Sequence, residues 1–249
     1  MYICEKDRSF IENKYHDTTK PFDPHQKFTY HGTVSEYSDG LDDKEMREAM
    51  DRFYEEGKGK DRALVKAMAF AFVLDNAKIH VSDKDYFPCI YNWGRPLDAP
   101  LIIKWIDELF EGIEGLNEQI CSYRDSGVAD MWLDTCHVVP DWQDILALGF
   151  SGMLERVRGY HGKFKGENDL TPKEEAFFSS IEIEYEAILR LIDRIAEYAR
   201  AHESEKSPLI VSALEAIRHR APENTFEALM LMYVYFMCSE SIDSYQTIW

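Results

Sequence analysis

The chain has 249 residues and a mass of 29.1 kDa, enough for one large domain or two small ones. Apolar residues make up 45% and charged residues 30%, the balance of a globular chain, not a disordered one. With 28 Lys and Arg against 46 Asp and Glu, the formal charge is −18, which repels phosphate backbones and anionic lipid and argues against nucleic-acid binding through a basic patch.

Residues 1–40 are rich in Tyr, His, Asp and Pro with weak periodicity, and read as an irregular N-terminal arm. Residues 41–249 form the helical region. Met46, Met50, Phe53 and Tyr54 recur at helical spacing, and Gly57 and Gly59 end that helix. Arg62 to Asn76 is apolar on most faces and should be deeply buried. Lys78 to Ser82 can form a short strand. Pro88, Gly94, Pro96 and Pro100 make the next stretch a loop, and Leu101 to Phe110 returns to helix. Gly112, Gly115, Ser126 and Gly127 then punctuate the chain.

Asp141 is an N-cap candidate for a helix running to about Tyr160. Thr171-Pro172-Lys173-Glu174 has the form of a capping box with Pro at the first helical position. Behind it, Phe177, Ile181, Tyr185, Ile188, Ile192, Ile195 and Ala199 are spaced 4, 4, 3, 4, 3 and 4, one apolar stripe along a long helix. Ser207-Pro208 starts a short helix, and Asn224 caps the last one. About seven helices and few or no strands make the fold mainly α.

No run approaches the roughly 20 apolar residues that span a bilayer, and the N-terminus lacks the pattern of a signal peptide. Cys4, Cys89, Cys121, Cys136 and Cys238 are odd in number and scattered, which fits free thiols in a reducing cytoplasm. The eight His show no metal-ligand spacing, so no bound metal or cofactor is expected. Glu174, Glu175, Glu182, Glu184 and Glu186 read as a solvated helix face, with Glu186 pairing with Arg190 at i, i+4. On the residues alone, His137 between Asp134 and Asp141-Trp142 is either a core histidine or a group that hydrogen-bonds a substrate hydroxyl or carbonyl.

His137-Val138-Val139-Pro140-Asp141-Trp142, followed by Leu146-Ala147-Leu148-Gly149-Phe150-Ser151-Gly152-Met153, resembles a segment in the N-terminal half of glycyl radical enzymes, the pyruvate formate-lyase superfamily. Two more stretches are similar to that family in the same order. One is the Ala-rich helix leading into Lys78-Ile79-His80-Val81-Ser82-Asp83. The other is Arg218 to Leu229, with Pro222 and Thr225-Phe226. The resemblance covers roughly residues 45–245. It implies the helical front part of a ten-stranded α/β barrel and a small-molecule substrate. It also implies a glycyl radical installed by a separate S-adenosylmethionine-dependent iron–sulfur activase. In that family the radical passes to a Cys thiol, which abstracts hydrogen from substrate, in formate acetyltransferase, dehydratase or lyase chemistry under anaerobic conditions.

The family's catalytic Cys loop, second barrel half and C-terminal glycine loop have no counterpart here. The expectation is therefore a portion that is inactive without them, completed by a C-terminal part or acting as a homodimer. The alternative is a non-catalytic helical binding or regulatory protein built on the same fold. His137 is the best candidate for a substrate-facing residue, with Asp134, Asp141 and Trp142 next. Arg156-Val157-Arg158-Gly159-Tyr160 matches the family's radical-site pattern R-V-x-G-Y. It lies within the helix of the N-terminal motif with 90 residues after it, so it reads as a helix C-terminus. There Arg156 and Arg158 complement the dipole and Gly159 lies near the cap. Gly159 is carried only as an alternative radical site. The last helix, apolar nearly all round from Phe226 to Met237, is expected to expose surface and drive self-association.

Overall fold

The computed structural model describes residues 40–41, 43–80, 86–87, 89–90, 101–102, 104–105, 108, 111, 114–128, 140–167 and 169–240. Among the described residues the chain is built from helices α1 (Asp43–Gly57), α2 (Arg62–Asn76), α3 (Glu114–Asp125), α4 (Trp142–Glu167), α5 (Pro172–Ala201), α6 (Ser207–His219) and α7 (Thr225–Glu240). Two short strands, β1 (Ile79–His80) and β2 (Cys89–Ile90), pair antiparallel with Ile79 opposite Ile90. β1 falls inside the expected strand. β2 lies in a stretch read as loop. The expected arm lies almost wholly outside the described residues.

Local signals set several boundaries. Asp61 caps α2 by accepting from the Ala63 amide at 2.9 Å. The Thr171 capping box forms as expected, with the Glu174 carboxylate accepting from the Thr171 amide at 2.8 Å. α3 was hidden by the Gly residues at 112 and 115. Its described side chains are mostly exposed, so no apolar stripe marks it.

α5 is the central helix, packed by α2, α4 and α6. Ala187, Leu191, Ile192, Ile195 and Ala199 are fully buried. Phe177, expected in the same stripe, is 55% exposed. A single apolar face underestimates a helix covered on three sides, where small residues such as Ala176 and Ala187 allow close approach.

Arginines on α5 grip the end of α2. Arg194 donates through Nη1 to the Leu74 carbonyl and through Nη2 to Ala77 O at 2.8 Å. Arg190 makes a two-pronged pair with Asp75 at 2.9 and 2.8 Å. The Leu41 amide donates to Asn76 O at 3.1 Å. The orphan carbonyls of a helix C-terminus thus find donors from distant chain. Arg190 does not pair with Glu186, as its spacing suggested; Glu186 instead takes Arg158.

Candidate functional site

Asp141 enters α4 by accepting from the Asp144 amide at 3.2 Å. The N-cap expected at Asp141 is therefore present. One residue on, Trp142 packs its ring against Tyr235 and Phe236 of α7, with centroids 5.1 and 5.4 Å away. Asp144 pairs with Arg156, 12 residues further along α4 and past the kink at Gly149. Arg156 therefore does not serve the helix dipole, because α4 continues to Glu167 and Gly159 lies inside it. Asp134 and His137 lie outside the described residues.

Tyr185, at mid-α5, faces the same corner. Burial pushes its phenol above the ordinary range, Tyr235 adds to that, and the Arg156 guanidinium opposes it. Burial also pushes the Tyr235 phenol up. Both phenols therefore stay protonated and can donate a hydrogen bond. Trp142, Tyr235 and Phe236 thus form an aromatic cluster where α4 meets α7, with the Tyr185 phenol close enough to Tyr235 and Arg156 to feel both. Sequence reading singled out Trp142 but missed Tyr185 and Tyr235, which look like ordinary stripe residues until α4 and α7 meet them.

The corner is shaped by a kink. Gly149 has φ 67° and ψ 176°, breaking α4 between residues 142–148 and 150–167. A Cβ there would stand 2.8 Å from the Arg220 carbonyl oxygen and 3.2 Å from Ala221 Cα. Only glycine adopts this backbone region without strain, and only glycine lets the α6–α7 turn approach so closely.

That turn is held by Glu227, 8% exposed. Its carboxylate accepts from Arg220 at 2.7 and 3.1 Å and from the Glu223 amide at 2.8 Å. Asn224 caps α7 by accepting from the Glu227 amide at 3.0 Å. Arg220, then the Glu223 amide, hold the Glu227 carboxyl below its usual range. A depressed carboxylate stabilises above its unfolded value near 4.3 and stops doing so as pH falls through the folded value. Glu227→Gln is therefore expected to lower the thermal midpoint at pH 7, with the gap to wild type closing on acidification. A constant gap down to the acid limit would refute this.

The other candidates resolve simply. Gly159 sits mid-helix with open space around it, not on a loop. Burial pushes the Cys238 thiol far up and keeps it protonated, so it is no nucleophile. Among the described residues, no group of three His, Cys, Asp or Glu could hold a metal, and no helix is long and apolar enough to cross a membrane. On α7, Met230, Leu231, Val234 and Cys238 are buried, while Leu229 is 47% exposed. Phe87 stacks on Phe226 and lies 4.9 Å from the Tyr233 ring. The expected bare helix is thus covered on several sides.

The model of the pyruvate formate lyase-like family matches residues 108–247, a span that holds the Trp142 corner, the Gly149 kink and the Glu227 turn. The chain belongs to the pyruvate formate lyase-like family. It is similar in fold to several solved structures. A glycyl radical enzyme from Archaeoglobus fulgidus shares 15% identity over 82% of this chain and 32% of its own, with a TM-score of 0.56. The glycerol-bound B12-independent glycerol dehydratase from Clostridium butyricum shares 15% over 84% and 35%, TM-score 0.55. The hydroxyproline dehydratase from Clostridioides difficile, bound to trans-4-hydroxy-L-proline, shares 13% over 82% and 32%, TM-score 0.60. No curated protein matches the sequence. The chain spans about a third of the length of these three proteins. The mainly helical fold expected from sequence is the fold observed.

Proposed function

We propose that the chain is the helical front portion of a glycyl radical dehydratase acting on a small hydroxylated molecule. The observation that supports it most is the family match over 108–247, which includes His137 and the kinked helix behind it. The dehydratase subtype is favoured over acyl transfer because two of the similar structures carry that activity in their names. In the complete enzyme the radical, installed by an S-adenosylmethionine-dependent iron–sulfur activase, supplies hydrogen abstraction through a Cys outside this portion. The residues of this chain bind and orient. In this reading His137, with Asp134 three positions earlier in the sequence as a further candidate, binds the substrate hydroxyl and can give it a proton as it leaves. The phenols of Tyr185 and Tyr235 donate hydrogen bonds, and Trp142 supplies an apolar face. A homodimer and a reducing cytoplasm complete the reading.

The test joins this chain to a C-terminal part carrying the Cys and Gly loops, with activase, without oxygen. A glycyl doublet in electron paramagnetic resonance and loss of water from a small diol or hydroxy acid are expected. In His137→Ala the doublet should persist while turnover falls by about 10²–10⁴-fold. Equal turnover in that variant would remove His137 from the site. A doublet from these 249 residues alone, lost in Gly159→Ala, would move the radical to Gly159.

A further inference from the structure

The second half of α4 is attached to α5 differently from the first. Leu154 is the last buried residue of α4. Residues 155–167 contribute none, so apolar burial does little to hold them. What faces α5 there is a charged cluster around His161. Its Nδ1 lies 2.7 Å from Glu182 Oε1 and its Nε2 lies 3.1 Å from Glu175 Oε2. The ring stacks on Phe178, with centroids 4.9 Å apart and planes 7° from parallel. The side chain is only 16% exposed.

A carboxylate can only accept, and a neutral imidazole carries one N–H. Both contacts are hydrogen bonds only when both ring nitrogens are protonated. The surrounding charges require the same state. From α4, Lys165 meets Glu175 at 3.2 Å, and Arg158 meets Glu182 at 3.5 Å and also pairs with Glu186. Three carboxylates thus face two permanent cations, and an imidazolium makes the numbers even. Loss of that proton leaves net negative charge and a nitrogen lone pair against a carboxylate.

We propose that His161 is a proton-operated clasp: as imidazolium it fastens the far half of α4 to α5, and its deprotonation frees that end of the hairpin. Glu182 and then Glu175 hold the imidazole above its ordinary range. A raised histidine stabilises fully below its unfolded value near 6.5 and stops doing so as pH rises through the folded value. On the acid side, His161 and then Lys165 keep Glu175 below the usual carboxylate range. The clasp is therefore closed in mild acid and opens as pH rises through a midpoint above the ordinary histidine value.

The experiment follows the His161 ring by NMR in the 249-residue chain from pH 5 to 9. Over the same range it measures amide exchange, corrected for intrinsic rates. The expected midpoint lies above about 6.5. Protection of residues 155–167 should fall by up to about tenfold per pH unit, the equivalence of one pKa unit, between about 6.5 and that midpoint and level off above it, while Leu191 to Ala199 stay unchanged. In His161→Gln the step should vanish; this change touches no buried α4 residue. A midpoint at or below 6.5, protection that does not vary with pH, or the same step in His161→Gln would overturn the proposal.

Discussion

Gly149→Ala is expected to cost about 2–6 kcal/mol of stability or to prevent soluble folding. Two effects combine. The backbone at φ 67°, ψ 176° is strained by about 1–3 kcal/mol for any residue with a Cβ. The new methyl would also stand 2.8 Å from the Arg220 carbonyl, and such overpacking against backbone costs typically about 1–3 kcal/mol more. The α6–α7 turn cannot easily retreat, because Glu227 ties it to Arg220 and to the Glu223 amide. Gly159→Ala on the same helix is the control. Nothing lies within 4 Å of its added methyl, so alanine should be neutral or stabilising by up to about 1 kcal/mol. Urea unfolding of the two variants decides the matter. If both behave alike, the kink is not what this glycine is for.

Arg194→Ala should be the next most damaging change, at about 2–6 kcal/mol. It strips donors from the carbonyls of Leu74 and Ala77, beside core residues Val73, Leu74 and Ile79 that are at most 2% exposed. Each buried acceptor left unmade costs about 1–3 kcal/mol. Burial pulls the Arg194 guanidinium below its ordinary range, though at so basic a starting value it stays charged. Arg190→Ala, one turn earlier, removes a pair whose side chains are 45% and 37% exposed. An exposed pair contributes about 0–1 kcal/mol, so the two variants should differ plainly in thermal unfolding. Equal losses would mean that the helix-end carbonyls find water instead.

These contrasts show which parts of the fold are legible in sequence. The Thr171 capping box that starts α5 depends on residues within three positions, and reading along the chain finds it. The exposure of Phe177 depends on which three helices surround α5, and its 4-4-3 spacing carries no such information. The Gly149 kink depends on Arg220, and the His161 clasp on Glu175 and Glu182, all across a turn or a further helix. A solvated face was the fair reading of those glutamates, and it fails because α4 runs past Gly159 alongside them. Glu184, in the same run, departs from it too: burial pushes its carboxyl up against the opposing pull of Lys66. At the candidate site, the segment holding His137 was visible through family resemblance. The phenols of Tyr185 and Tyr235 needed the meeting of α4, α5 and α7.

The grip of α5 on the end of α2 also has a meaning in time. Asp75 and Arg190 are separated by 115 residues. A ribosome adding about 5–20 residues per second leaves an interval on the order of 6–23 s between them. Throughout that interval α2, with Val65, Phe70, Val73 and Leu74 bound for the core, lacks the cover of α5 and the Arg190 and Arg194 donors. The nascent chain should therefore present a chaperone-binding segment at residues 62–76 that disappears once α5 has emerged and docked.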